Sequence, residues 1–432
     1  MVDRTEKVIQ WVALVCVVVS QQAGAADMAP SIVGVAQVAQ TGQTDCYDIA
    51  GNPIACSGTG QDADNPQGVP WPNPRFTIQA DGTVMDQLTG LIWLKDADCL
   101  SNFPVGRDWT DALAQVANLN SGTDFSCTDY TPGAFADWRL PNQAELLSLL
   151  SLGVSKPALP DTAGTGHWAQ DDPFTDVEST FYWSSTPGAA APQGAWGVGM
   201  PIGAGFGRLK TDTGFVWAVR GESTSPLAPV AQTGQTLCSD ATGATIDCSG
   251  TGQDGDLLAG IAWPDPRFTD NGDGTVTDNL TLLVWLKDAS CVSNVGVGRD
   301  WDDALLQVEN LNLGTDFGCT DYVAGTFQDW RLPNSKEQLS LANLGAHSPA
   351  LPSNPFVGLL AFYWSSTSAS SSPDGAWIFG TGIGTTSPAL KTDLGIPPDT
   401  NSVWPVRGSW DSSIFADGFE SGDTSAWSST TP

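Results

Sequence analysis

The chain is written twice. Val38-Ala-Gln-Thr-Gly-Gln-Thr44 returns as Val230-Ala-Gln-Thr-Gly-Gln-Thr236, 192 residues on. The same offset relates Arg75 to Arg267, Trp93 to Trp285, Trp109 to Trp301 and Trp138 to Trp330. Further on the copies drift. Phe181-Tyr-Trp-Ser-Ser-Thr186 matches Phe362-Tyr-Trp-Ser-Ser-Thr367 at an offset of 181, and Trp217 matches Trp404 at 187. Copy one therefore holds an extra loop at 161–172, and copy two regains six residues near 396–401. Length changes of this kind belong in surface loops. A period this long denotes tandem domains, since stacked repeats run at about 20–50 residues. The boundaries follow: a leader at 27–36, copy one at 37–221, a Ser/Pro linker at 222–229, copy two at 230–408, and an acidic Ser/Thr-rich tail at 409–432.

Residues 1–26 read as a secretory signal. Arg4 and Lys7 precede an apolar run from Val8 to Val19, and Ala23-Gly24-Ala25 offers a small-residue cleavage site. Cys16 lies inside that run, behind Val15, which does not suit lipid attachment. The expected mature chain is secreted, at the cell surface or periplasmic, without a membrane span. Its charge narrows the partners. There are 48 acids against 17 bases, a net charge of −31. The acidity is spread over both copies, −12 for residues 37–221 and −13 for 229–408. Nucleic acid and anionic lipid both require a basic footprint, so neither is an expected partner.

Eight cysteines remain after Cys16, four per copy: Cys46, Cys56, Cys99 and Cys127, then Cys238, Cys248, Cys291 and Cys319. Their spacings are not Cys-x-x-Cys and no histidine is near, so disulfides are expected rather than zinc. Cys46 and Cys56 flank a Gly51-Asn52-Pro53 turn, and Cys238 and Cys248 flank Thr242-Gly243, so each pair resembles the two legs of a hairpin. The expected pairs are 46–56, 99–127, 238–248 and 291–319.

Within each copy the pattern predicts a hairpin (75–86; 267–278), a short buried strand (91–94; 283–286) and two helices. The first helix starts at Asp108 or Asp300, with Leu113, Val116 and Leu119 on one face. The second starts at Asn142 or Asn334, each with a glutamate three residues on, as in a capping box. Leu147 and Leu339 are expected on its buried side. Strands are expected at 181–185, 195–198, 207–210 and 216–220. The fold class is α+β, with helices segregated from one curled antiparallel sheet.

The ordered blocks resemble the Lcl C-terminal domain family, named after a collagen-like bacterial adhesin. They are Arg-Phe-Thr (75–77), Asp-Gly-Thr-Val (81–84), Thr-Gly-Leu-Ile-Trp-Leu-Lys (89–95), Asp-Trp-Arg-Leu-Pro-Asn (137–142), Tyr-Trp-Ser-Ser-Thr (182–186) and Val-Trp-Ala-Val-Arg (216–220), each with a counterpart in copy two. The Trp-Arg-Leu-Pro, Tyr-Trp-Ser-Ser and final Val-Arg blocks are also similar to the C-type-lectin-like fold. The resemblance implies two tandem lectin-like domains acting in adhesion, with a glycan or a surface protein as ligand. An envelope assembly protein is the alternative; a secreted hydrolase ranks third, because no motif singles out a catalytic pair. There is no collagen-like Gly-X-Y stretch, and a chain of this charge does not suit sulfated polyanions. The Glu-Pro-Asn and Trp-Asn-Asp signatures of calcium-dependent lectins are absent.

Candidate residues carry bland expectations. Trp138, Trp183 and Trp217, with Trp330, Trp364 and Trp404, are expected in the core rather than as sugar platforms. Arg139 and Arg331 are expected to pair with a nearby acid. Asp270, Asp273 and Asp278 have the wrong spacing for an EF-hand and read as a hairpin turn. No catalytic, cofactor or metal residue is expected; calcium is the one ion the acidic loops could recruit, at Asp171, Asp172, Asp176 and Glu178. His167 and His347 occupy non-equivalent positions and read as exposed loop residues. Ligand is expected at the loops 187–193, 200–207, 368–374 and 380–388.

Overall fold

The structure is a computed structural model that describes residues 35–221, 226–393, 395–396 and 399–408. The signal segment with Cys16, nearly all of the leader, the first half of the linker and the tail lie outside the described residues. Copy one begins with an arm, 36–72, holding β1 (Cys46–Tyr47) and β2 (Pro53–Ile54). Its core follows with β3 (Phe76–Ile78), β4 (Thr83–Asp86), β5 (Ile92–Leu94), α1 (Trp109–Asn120) and α2 (Gln143–Leu149). It ends with β6 (Phe181–Pro187), β7 (Gly194–Gly199), β8 (Ala204–Leu209) and β9 (Val219–Arg220). Copy two repeats this order. Its arm holds β10 (Cys238–Ser239), β11 (Thr245–Ile246) and a short helix, α3 (Asp254–Leu257), that the sequence pattern does not announce. Its core runs β12 (Phe268–Asp270), β13 (Thr275–Asp278), β14 (Val284–Leu286), α4 (Trp301–Asn312) and α5 (Ser335–Ser340). It ends with β15 (Phe362–Ser368), β16 (Gly375–Gly380), β17 (Thr385–Leu390), β18 (Gly395–Ile396), β19 (Asp399–Ser402) and β20 (Val406–Arg407).

Local chemistry explains the elements. The β3–β4 turn pivots on Gly82 at φ +76, where a Cβ would lie 2.5 Å from the Tyr130 backbone nitrogen. Asp108 caps α1 by accepting from the Asp111 N–H, and Asn142 with Glu145 closes a complete capping box on α2. Both caps recur at Asp300 and Asn334. The buried face of α1 is Trp109, Ala112, Val116 and Leu119, so the Leu113 expected there is only half-buried. On α2 Leu146 and Leu149 fill the core, and Leu147 is partly buried and packs against it.

Each core carries two sheets where the pattern suggested one. In copy one they are β3-β4-β5-β9 and β6-β7-β8; in copy two β12-β13-β14-β20 and β17-β16-β15-β19-β18. The segment 215–220 crosses between them. Phe215 bridges Tyr182 beside the second sheet, and Val219–Arg220 pairs with β5 in the first. Trp217 fills the seam, with its ring 5.5 Å from that of Trp93 and its indole N–H donating to the Leu94 carbonyl at 2.7 Å. Full burial of Trp217 and Trp93 contributes upward of about 2 kcal/mol each. The regained residues of copy two form the β18–β19 hairpin, and β19 adds a parallel pairing onto β15.

The arms are exchanged. Each stays covalently part of its own copy but lays its hairpin on the other core. Lys391, at the end of β17, donates to the carbonyls of Tyr47 and Asp48 in the first arm. Lys210, at the end of β8, donates to the carbonyls of Ser239 and Asp240 in the second. Both ammonium groups sit over tryptophan rings, Trp301 at 4.2 Å and Trp109 at 4.3 Å. Burial holds both pKa values down to about 8. Backbone bonds repeat the reciprocity. The Ala36 N–H donates to Leu280 O at 2.7 Å, and the Ala228 N–H to Leu88 O at 2.8 Å. Val38 packs against the second core and Val230 against the first.

Candidate functional site

The structure closes Cys46–Cys56, Cys99–Cys127, Cys238–Cys248 and Cys291–Cys319. The first and third tie the arm hairpins; the other two join the chain before each α1-type helix to the loop after it. All six tryptophans weighed as sugar platforms are buried, Trp138 and Trp330 at 3% exposure and the rest at 1% or less, so none presents a face to a sugar. Arg139 grips Glu145 through two nitrogens, and Arg331 grips Glu337 in the same way. Since those glutamates also complete the capping boxes, the pair ties the turn to the helix. Asp270, Asp273 and Asp278 do separate jobs. Asp270 pairs with Lys287, Asp273 accepts from Thr275 and Asp278 pairs with Arg267. His167 is bonded to the Pro157 carbonyl at 2.8 Å, and His347 is exposed.

A half-open groove forms where the first arm meets the second core. Its volume is about 530 Å³. The arm contributes Asp62, Asp64 and Asn65; the core contributes Asp302, Leu306 and Glu309 from α4, with Trp330 and Arg331 behind them. Asp302, Glu309 and Asn65 are exposed. So are the apolar side chains of Ile54 and Leu306. Burial, then the charge of Asp300, raises the Asp302 pKa. At the groove's inner end Asp62 is buried. It accepts from Thr41 Oγ1 and Thr367 Oγ1, both at 2.7 Å. Burial pushes its pKa up to about 6. Most of the lining is repeated at the matching positions of the second arm and first core, Asp62 as Asp254 and Ile54 as Ile246 among it, but four exposed rim residues differ. Glu309 corresponds to Ala117, Asp302 to Thr110, Asn65 to Leu257 and Leu306 to Ala114. The carboxylates and amide on the groove's rim are therefore particular to one side of a duplicated molecule. The only sequence signal for them is that set of differences between copies at otherwise matching positions.

Among the described residues one acidic cluster assembles. Asp96, Asp98 and Asp176 bring one oxygen each within 4.8 Å of one another. Asp176 belongs to the acidic loop singled out from the sequence, but its companions come from before Cys99. Asp171 and Asp172 are not among them: Asp172 accepts from the Thr162 N–H instead. Burial, then the charges of Asp96, Asp176 and Glu178, pushes the Asp98 pKa up to about 7. Both Asp96 oxygens already accept backbone N–H groups, from Asp98 and Cys99 and from Thr128. Calcium takes 6–8 oxygen ligands. The cluster supplies three, so it makes no metal assignment by itself.

The model of the Lcl C-terminal domain matches residues 82–220 and again 274–407, more than half of the chain. The chain belongs to the Lcl C-terminal domain family. No curated protein matches it. Both exchanged arms lie outside the two matched segments, so each Lcl domain proper is a core without its arm. The variable loops of these Lcl domains are engaged by the opposite copy. Pro187 O and Pro192 O accept from Gln235 and Ser239 of the second arm. Gly205 O accepts from Thr385, and Ser370 donates to Val154 O. A Cβ on Gly51 would stand 2.7 Å from the Asp374 nitrogen. The surface expected for ligand thus serves in large part to hold the two Lcl domains together. Among the described residues no helix is long and apolar enough to cross a membrane.

Proposed function

We propose that the chain is an exported, adhesin-like bacterial binding protein with two lectin-like domains, and that the groove between the first arm and the second core takes a neutral saccharide. Membership of the Lcl C-terminal domain family supports the adhesin-like role. Four disulfides suit an oxidising, extracellular setting. The observation that carries the site is the groove's one-sided chemistry. Carboxylates of Asp302 and Glu309 and the amide of Asn65 accept and donate to hydroxyl groups, and Ile54 and Leu306 offer apolar surface to the C–H face of a sugar ring. An acidic rim repels sulfated or carboxylated glycans.

The test is binding of the mature chain, residues 27–432, to a panel of neutral and anionic glycans, in calcium and in chelator. The expected result is selective retention of neutral glycans at one site per chain. It should weaken at least tenfold in Asp302→Ala/Glu309→Ala and stay unchanged in Thr110→Ala on the opposite side. Silence of a folded chain across the panel overturns the saccharide reading and favours a protein ligand in envelope assembly.

A further inference from the structure

The loop 161–172 that lengthens copy one seals the outer edge of its first sheet. The N–H groups of Arg75 and Phe76, where β3 begins, both donate to Thr162 O at 3.0 Å. Two residues on, Gly164 lies against Arg75 and Trp71 at φ +80, and a Cβ on it would stand 2.9 Å from the Arg75 Cβ. Copy two has the same edge without the seal. Ser353 and Asn354 alone stand between Pro352 and Pro355, where copy one has residues 161–172 between Pro160 and Pro173. β12 keeps the register of β3, with Phe268 opposite Asp278 as Phe76 is opposite Asp86, so its N–H groups point the same way. Among the described residues no acceptor takes the place of Thr162 O on the Arg267 or Phe268 N–H. Arg267 and Phe268 are accordingly 6% and 7% exposed, where Arg75 and Phe76 are 0% and 1%. A sheet edge with unpaired N–H groups is a template for an added extended segment.

We propose that the chain's own C-terminal tail fills this edge, with segment 416–422 in the place that Thr162 to Gly164 take in copy one. The route is short. Arg407, Val284, Thr277 and Thr269 stand side by side across the sheet. The described chain therefore ends, at Gly408, three strand spacings from β12, or about 14 Å. Ten further residues reach Gly418, and extended chain of that length spans about 33 Å. The occupant must offer a carbonyl and, two residues later, a glycine, because the contact at Gly164 leaves no room for a Cβ. Ala416-Asp417-Gly418 and Glu420-Ser421-Gly422 both do so. Copy one fills its edge from its own chain. A tethered tail has the same advantage over a free peptide, an effective concentration in roughly the millimolar range. The site shares no residue with the saccharide groove and does not depend on it.

The test is hydrogen exchange, read amide by amide, on three chains: the mature chain, residues 27–432; the same chain cut after Gly408; and full-length Gly418→Val/Gly422→Val. In the mature chain the Arg267 and Phe268 amides are expected to exchange slowly. Truncation and the double substitution should each speed them roughly tenfold. Arg75 and Phe76 should stay slow in all three, which reports an intact fold; should truncation unfold the chain, the full-length variant decides. A peptide of residues 411–427 added to the truncated chain should restore the protection. The proposal is overturned if the two amides exchange as fast in the mature chain as in the truncated one, or stay protected without the tail. It is equally overturned if the protection depends on protein concentration, which would mark a second copy as the occupant, or is lost on removing residues 27–34 instead.

Discussion

Asp62 and Thr367 are 305 residues apart in sequence and 2.7 Å apart in space. The mirrored contact, Asp254 to Thr186, is also 2.7 Å. Each buried aspartate belongs to one copy's arm and reads a threonine of the other copy's core. Each also accepts from a threonine of its own arm, Thr41 or Thr233. The duplication is therefore a reciprocal embrace rather than two beads on a string.

The embrace should respond to pH. Burial raises both aspartates from 3.8 to about 6. A raised carboxyl pKa means that the folded state disfavours the charged form. The penalty is absent below the unfolded value, grows between pH about 4 and about 6, and is constant above. Replacing Asp62 by Asn keeps an acceptor for both threonines and removes the titration. The difference in unfolding free energy between Asp62→Asn and the native chain should thus move in the variant's favour by about 2 kcal/mol from pH 4 to pH 6.5, then level off above about pH 7. Denaturant unfolding across that range checks it; a difference independent of pH would sink the argument.

The Arg75–Asp86 pair is the most deeply buried ion pair of the first domain. Both side chains are wholly inaccessible, the nitrogen–oxygen distance is 3.0 Å, and Arg75 also donates to Ser148 O at 2.8 Å. It ties the first hairpin to the end of α2, as Arg267 with Asp278 and Ser340 O does in copy two. Removing one partner leaves an uncompensated charge. Asp86→Ala should cost about 3–5 kcal/mol, and Arg75→Met/Asp86→Leu distinctly less. A double-mutant cycle by denaturant unfolding measures the difference.

Local chemistry made much of this fold legible. Asp108 and Asn142 announce helix starts by side-chain capping, and Cys46 and Cys56 flank a turn within ten residues. Such signals act over one turn of chain. The arm exchange does not, because Lys210 and Lys391 reach the Ser239 and Tyr47 carbonyls across the other copy, and a repeat offset is the same whether an arm docks at home or abroad. Lys210 and Lys391 do recur at matching positions, but so do Arg75, Lys95, Arg107, Arg139 and Arg220 with their counterparts in copy two, so recurrence by itself does not mark the two lysines. For the same reason the Gly/Ser/Ala-rich loops read as ligand surface when they meet the opposite copy. The single-sheet expectation failed at Trp217, whose burial diverts the last strand from one sheet to the other.

The arm disulfides should matter to the embrace. Cys46–Cys56 closes a loop with a sequence separation of 10. On the chain-entropy account a loop of this size contributes about 3 kcal/mol. Cys46→Ser/Cys56→Ser should lose about that much and speed proteolysis of the first arm while leaving Cys99–Cys127 intact. Peptide mapping without reduction, before and after the substitution, checks both points. A 46–99 linked peptide in the native chain would contradict the arrangement.

Copy two already holds the remedy for the strained acids of copy one. Where copy one has Asp98 and Asp176, the second domain has Ser290 and Gly358, and Ser290 Oγ donates to Asp288 at 2.9 Å. Asp98, by contrast, faces Asp96, Asp176 and Glu178, and its pKa is raised to about 7. The sign follows as before: the carboxyl is tolerated when protonated and penalised as pH rises from about 4 through about 7. Asp98→Ser should therefore raise the melting temperature by a few degrees at pH 8 and by little at pH 4.5. Thermal unfolding at the two values, each with chelator, decides the matter. Equal gains at both would show that the substitution acts through packing and that the three carboxylates do not repel one another. A gain that vanishes at pH 8 on adding calcium would identify the cation that the cluster takes.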